Sequence, residues 1–348
     1  MGGRRGADQP GERGRRVHGR TIEFVGAEEN NNDTTKDQDL ARSLVEQEGV
    51  FALLPVMAGT FGAGDYVVEN NIPTFGYGIN PAFCDNDVAF GITGCVTNPS
   101  LEVGSNALGT ALEDHFDGDT DKSISFIAED NDAGRGGLVL LQASVEDKGF
   151  KVPYAEPALP APPEQVGDVS PFVNELLNSD DGSAPDMIYL QATLGGTKLA
   201  DGLQQAGYEG MIITPSYSPL LLGTPGYDGV FINTQFGMDP AIPANAEMLE
   251  AVHKVKPDQE MSLALVAGYR AADMFVKALE ATGEDLTVES FLATVNDGFE
   301  YSVDGVVGKS TWPDNHSKPV PCSVLTEVED KQFVTVQDLI CGENIQID

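Results

Sequence analysis

Two stretches of the sequence repeat one alternation of strand and helix, and this restricts the fold more than any other feature. In "RTIEFVGAEEN", Ile22 and Phe24 alternate with polar residues, which predicts a strand. "DTTKDQDLARSLVEQEG" sets Leu40, Ala41, Leu44 and Val45 on one helical face, with Asp33 or Thr34 placed to cap it and Gly49 to stop it. "VFALLPV" is a nearly unbroken apolar strand, as in a sheet covered on both faces. "TFGAGDYVVENN" predicts a helix from near Thr60, and "IPTFGYG" another strand. After "FDGDTDK" the pattern restarts with the strand "SISFIAED", the helix "GRGGLVLLQASVEDKG" and the strand "FKVPYAEP". The helices "DVSPFVNELLNS" and "GGTKLADGLQQAG" then interleave with the strands "PDMIYLQAT", "MIITPSY" and "GVFINTQF". Strand–helix–strand order at this spacing predicts a doubly wound parallel sheet, formed twice, the second unit running from Ser123 to Phe236.

The rest of the chain must return to these units. "SLALVAGYRAADMFVKALEATG" predicts a long helix whose apolar face carries Leu265, Val266, Tyr269, Ala272, Phe275 and Leu279. "TVESFLATVND" predicts another. "PVPCSVLTEVEDKQFVTVQDLICG" reads as a hairpin turning at Asp330-Lys331, which brings Cys322 and Cys341 opposite each other to within about a residue. Cys84 and Cys95 are close only in sequence, flanking "DNDVAFGITG". Two bridges in an exported protein are expected, with buried free thiols as the alternative. His18, His115, His253 and His316 are scattered, so neither they nor the cysteines predict a zinc site.

Charge narrows the function classes. The 348 residues carry a formal net charge of -35, which repels nucleic acid and anionic membranes. No apolar run approaches the ~18 to 20 residues of a membrane-spanning helix. Arg4, Arg5, Arg13, Arg15, Arg16 and Arg20 make residues 1–20 a basic tail without an apolar stretch. The glycines of "GTFGAG" lack the spacing of a dinucleotide-binding turn, and the chain has no nucleophile elbow, P-loop or HExxH. No catalytic residue and no cofactor is expected.

The segments "VHGRTIEFVGAEENNND", "LVEQEGVFALLPVMAGT", "VVENNIPTFGYGIN", "FIAEDNDAGRGG" and "YSVDGVVGKSTWPDNHSKPVP" follow one another in the order of a known family. Together they resemble the branched-chain amino-acid-binding family of type I periplasmic binding proteins, the solute receptors of ABC importers. The resemblance implies two Rossmann-like lobes joined by three crossovers, with a solute in the cleft between them. It implies lobe 1 from 21–122 plus 237–310, and lobe 2 from 123–236 plus 311–348. It also implies a monomeric, extracytoplasmic receptor whose partners are a small-molecule solute and the subunits of an ABC permease. A sensory ligand-binding domain and an enzyme on a doubly wound fold are the rival readings. Genes for a permease and an ATPase beside this one would favour transport.

The family also implies a site. The turn Met57-Ala58-Gly59-Thr60 would present backbone N–H groups to an anionic ligand group. Tyr77, Gly78 and Ile79 would follow the next strand, with Asp132 and Ala133, Thr193 and Leu194, and Ser216 and Tyr217 facing them from the second lobe. Asp132 could anchor a polar group or cap the helix after it. Met57 and Ala58 stand where the amino-acid binders carry serines, Ile79 near their threonine, Ala133 in place of a tyrosine, and Ser216-Tyr217 near their acidic residue. A zwitterion would lack a partner for its ammonium, which is costly in a closed cleft. An aromatic, aliphatic or amide-like solute is expected instead. The family's opening strand and helix have no counterpart in this sequence, so the resemblance further implies an incomplete first lobe, open between residues 21–27 and 50–56.

Overall fold

A computed structural model describes residues 16–30, 33–57, 61–97, 100, 102–160, 164, 166–192 and 195–347, with backbone alone at 132 and 133. The chain opens with a short antiparallel ladder, β1 (Arg16–Val17) with β2 (Arg20–Thr21). The strand expected over residues 21–27 is not formed beyond Thr21. Residues 22–30 have no regular structure, and Phe24 is 73% exposed. A strand exists only through its ladder bonds, and among the described residues none lies alongside this segment to supply them. A turn capped by Asp33 leads into α1 (Asp37–Arg42), which continues as a π-turn over Ser43–Gln47.

β3 (Leu53–Val56), α2 (Gly64–Glu69), β4 (Thr74–Gly76) and β5 (Ala89–Gly91) follow, and β3-β4-β5 form a parallel sheet. Its centre is aromatic: Phe75 stacks on Phe90 at 5.0 Å between ring centroids, and both are fully buried. Burying a side chain of this size contributes roughly 1.5–3 kcal/mol. β6 (Val103–Ser105) then carries the chain to α3 (Ala107–His115).

The second sheet is built from β7 (Ile124–Glu129), α4 (Asp132–Glu146), β8 (Ala155–Leu159), α5 (Ser170–Leu176), β9 (Met187–Gln191), α6 (Gly196–Gln205), β10 (Met211–Thr214) and β11 (Phe231–Thr234). α7 (Pro243–His253), α8 (Leu263–Thr282) and α9 (Val288–Val295) return to the first lobe with the ribbon β12 (Glu300–Val303) and β13 (Val307–Thr311). Ser262 caps α8 by accepting from the Leu265 N–H, and Gly283 ends it at φ 84. Its buried face carries Val266, Ala267, Ala271, Met274, Phe275 and Leu279 toward Phe75 and Phe291, whereas Leu265, Tyr269 and Ala272 of the predicted face are only partly buried, so the helix is turned partly away from the side its periodicity predicted. The chain closes with β14 (Cys322–Glu329), β15 (Gln332–Cys341) and β16 (Asn344–Gln346). The large sheet has the order β15-β14-β11-β10-β9-β7-β8; β11, β10, β9, β7 and β8 are parallel, and β14 and β15 are antiparallel.

Three segments connect the two α/β lobes: the stretch through β6, the stretch from Thr234 to Met238, and Pro319 to Cys322. The expected lobe boundaries shift at two places. Residues 107–115, assigned to lobe 1 by the sequence, pack as α3 on β14, β15 and α4, because Leu108, Ala111 and Leu112 belong to the second-lobe core. Trp312, assigned to lobe 2, is buried in the first lobe against Phe90.

Candidate functional site

In both lobes the candidate residues lie where parallel strands end, the place at which open α/β sheets bind ligands. Beyond β3, Met57 is half-buried against the first-lobe core. Ala58, Gly59 and Thr60 lie outside the described residues. The chain just past them is fixed by the buried carboxylate of Asp37, which accepts from the Gly62 N–H at 2.8 Å and from Asn30 Nδ2 at 2.7 Å. A Cβ at position 62 would come within 2.4 Å of the Thr34 carbonyl oxygen, so this close passage requires glycine.

Tyr77, Gly78 and Ile79 follow β4. Gly78 has φ +95°, and a Cβ there would lie 2.3 Å from the Gly94 carbonyl oxygen. Thr93 Oγ1 donates to the Tyr77 carbonyl, and Thr97 Oγ1 donates to that of Ile79 at 3.0 Å. The turn is thereby held on the loop that follows β5.

On the second lobe, Asn131 caps α4 by accepting from the Gly134 N–H at 2.7 Å. Of the two roles open to Asp132, polar anchor or cap, the cap is taken by its neighbour; the side chains of Asp132 and Ala133 lie outside the described residues, as do Thr193 and Leu194. Asp130 pairs with Arg135 at the surface. Ser216 lines a small recess with Ala192, Gly196 and Thr197, and its carbonyl accepts from Tyr227 Oη. Tyr217 is 5% exposed and stacks on Phe333 at 3.8 Å, so its ring is used in packing.

The two lobes meet at Tyr77. Its hydroxyl donates to Gln235 Oε1, and its ring stands edge-on to Phe236 at 5.2 Å. Burial pushes its phenol well above the ordinary value, so it acts as a neutral donor. Tyr189, on β9, is likewise raised by burial, and its hydroxyl donates to Asn233 Oδ1 at 3.4 Å. Sequence reasoning missed Tyr189, Asn233 and Gln235. One signal was available: Asn233 and Gln235 are two amides at alternate positions of the otherwise apolar "VFINTQF".

Two disulfides brace the third crossover. Cys84 is joined to Cys95 and Cys322 to Cys341, with Cα–Cα distances of 5.0 and 4.0 Å. Within the first loop, the Asp85 N–H donates to the His316 carbonyl at 2.7 Å, and the Val320 N–H donates back to Thr93 at 2.8 Å. Beside the second bridge, the Gly342 N–H donates to the Pro321 carbonyl at 2.8 Å. Among the described residues no group of His, Cys, Asp and Glu is arranged to hold a metal ion.

Comparison with solved structures finds the same fold in proteins of low sequence identity. A leucine binding protein from Thermotoga maritima is 15% identical, with a TM-score of 0.72 over 93% of this chain and 89% of that one. A solute binding protein of an ABC transporter from Rhodopseudomonas palustris, solved with p-hydroxybenzoic acid, is 18% identical, with a TM-score of 0.73 over 95% and 89%. A fatty acid ABC transporter substrate-binding protein from Thermomonospora curvata is 20% identical, with a TM-score of 0.70 over 94% and 83%. A search of curated proteins finds no match. Comparison with protein families matches residues 11–332 to the family described as periplasmic binding protein. With a match of that extent, and two α/β lobes joined by three crossovers, the chain belongs to the periplasmic binding protein family, a family of receptors rather than enzymes.

Proposed function

We propose that the chain is an extracytoplasmic solute receptor that delivers a small organic acid with an apolar or aromatic body to an ABC permease. The cleft between the lobes holds the solute, and hinge closure presents the loaded form to the permease. The observation that carries this reading is the character of the first-lobe strand ends. Met57 and Ile79 are apolar and half-buried, and between them the Tyr77 hydroxyl is already engaged by Gln235. Such a wall suits a flat or aliphatic body better than the ammonium and carboxylate of a free amino acid. Relatives of this fold whose names specify p-hydroxybenzoic acid and fatty acid support the same solute class.

Titration calorimetry tests the reading. The chain is expected to bind benzoate, 4-hydroxybenzoate or a medium-chain fatty acid at micromolar concentration, and leucine, isoleucine and valine at least tenfold more weakly. Micromolar binding of the three amino acids, with none of the acids, would reverse the assignment.

A further inference from the structure

Asn233 and Gln235 stand two residues apart where β11 runs into the second crossover, so their side chains share a face. Each carries an amide, and each amide oxygen accepts from a buried tyrosine: Tyr189 Oη donates to Asn233 Oδ1, and Tyr77 Oη to Gln235 Oε1. The two nitrogens differ. Asn233 Nδ2 donates to Ser323 Oγ at 2.6 Å and lies 3.4 Å from the Val324 carbonyl oxygen, so this amide ties the second crossover to the strand that follows the third. Gln235 Nε2 has no hydrogen-bond partner among the described residues. Gln235 is half-exposed between the buried Thr234 and Phe236. It borders a cavity of 80 Å³ shared with Ser105, Asn233, Pro319 and Ser323, which places all three crossovers around it.

A primary amide whose oxygen is occupied offers only its N–H donors. Turning the amide over would set N–H against the phenol and leave the buried Tyr77 hydrogen without an acceptor, which is unfavourable. With its oxygen held by Tyr77, Gln235 keeps its N–H donors free where it borders the hinge cavity, a cavity that Leu108, Leu140 and Leu141 also line. Its volume is well below the roughly 300–1,000 Å³ of pockets that enclose a whole ligand, so it has room for a polar head group only.

We propose that Gln235 reads the solute: its amide N–H donates to a carboxylate or carbonyl oxygen, and the Tyr77 hydroxyl is the positioning group that keeps it oriented. The inference rests on the solute-receptor reading above. Gln235 lies in a segment that connects the lobes, so a bond made there in the closed form alone favours closure.

The test titrates the wild type, Gln235→Glu, Gln235→Leu and Tyr77→Phe with benzoate and with benzamide. Gln235→Glu still accepts from Tyr77 but sets a carboxylate where the donors were. Its affinity for benzoate should fall by about 10- to 100-fold, as expected for a lost charge-assisted hydrogen bond, and its affinity for benzamide by less. Gln235→Leu should weaken both probes, and Tyr77→Phe should weaken both several-fold with the melting temperature little changed. A purely structural role would not separate the acid from the amide. Should Gln235→Glu fail to fold, Tyr77→Phe decides: several-fold weaker binding supports the role, and unchanged binding overturns it. A wild type that binds benzoate no better than Gln235→Glu and Gln235→Leu removes the role of Gln235 and leaves the solute class standing. A wild type that binds neither probe, and neither 4-hydroxybenzoate nor a medium-chain fatty acid, removes both.

Discussion

The imidazole of His316 is wedged between the rings of Phe90 and Trp312, at 5.1 and 4.6 Å between centroids. Its Nε2 lies 2.6 Å from Asn296 Oδ1 and takes the donor role there, while its Nδ1 is buried without a partner. Burial pushes the pKa down to about 4, and the charge of Asp87 with the backbone of Ala89 offsets only part of this. The ring is therefore neutral in the folded protein, whereas an unfolded histidine titrates near 6.5. Between those values the unfolded state holds more protons, so stability is full above pH ~6.5 and is lost as pH falls toward about 4. The loss is on the order of 3 kcal/mol. His316→Gln keeps a donor for Asn296 and does not titrate. Urea unfolding at pH 7 and pH 4 should show the wild type losing that much more than the variant. Parallel pH curves would mean that the ring titrates alike in the folded and unfolded states.

At the scale of elements, the C-terminal hairpin shows what the sequence could reveal. Asp330 and Lys331 take positive φ, 49° and 61°, as a two-residue turn between twisted strands requires. Counting back from that turn places Cys322 near Cys341 but not opposite it. The register shifts twice, between Ser323 and Leu325 and between Leu325 and Thr326, and these bulges bring the pair into line. Bulges leave no mark in an alternating pattern, which is why the pairing was legible and its exact register was not. α8 was legible as a helix but not in its orientation, since small residues such as Ala267, Ala271 and Ala278 line the buried side while the larger Leu265 and Tyr269 stay partly exposed. Residues 21–27 were not, because a strand depends on a neighbour as well as on alternation. The site divides the same way. Tyr77 was reached through its segment, whereas Gln235 depends on a hydrogen bond between residues 158 apart in sequence. The bridge itself spans 19 residues, and closing a loop of that size contributes about 3 kcal/mol. Replacing both Cys322 and Cys341 with alanine should lower the free energy of unfolding by about that amount, with the fold retained. Equal stability of the variant and the oxidised protein would show that the ladder alone holds β14 to β15.

The whole molecule distributes its stability unevenly. In the large sheet β7, β9 and β10 each have a strand on both sides, and Ile124, Phe126, Met187 and Ile213 are fully buried between helices. The first-lobe sheet has three strands of 4, 3 and 3 residues, and β3 pairs on one side only among the described residues. Its other side borders a cavity of 370 Å³ lined by Leu40, Leu44, Leu54 and the irregular segment 26–30. Each backbone hydrogen bond contributes about 1 kcal/mol net, so a short sheet with an open edge has little to lose before it opens locally. Hydrogen exchange on the intact chain should therefore be fastest over residues 22–30, intermediate over β3 and α1, and slowest in β7, β9 and β10. α8 is expected to side with the slow group, because its buried face joins Phe75, Phe291 and Trp312 in one core. Titrating benzoate into the same experiment tests the receptor reading at this scale: Tyr77 lies between the weak sheet and the second crossover, so bound solute should slow exchange around residues 74–79 and 234–238 more than in β7. Uniform protection of both lobes without solute would mean that the open edge of β3 is held by contacts outside the described residues, and that the two lobes unfold as one cooperative unit.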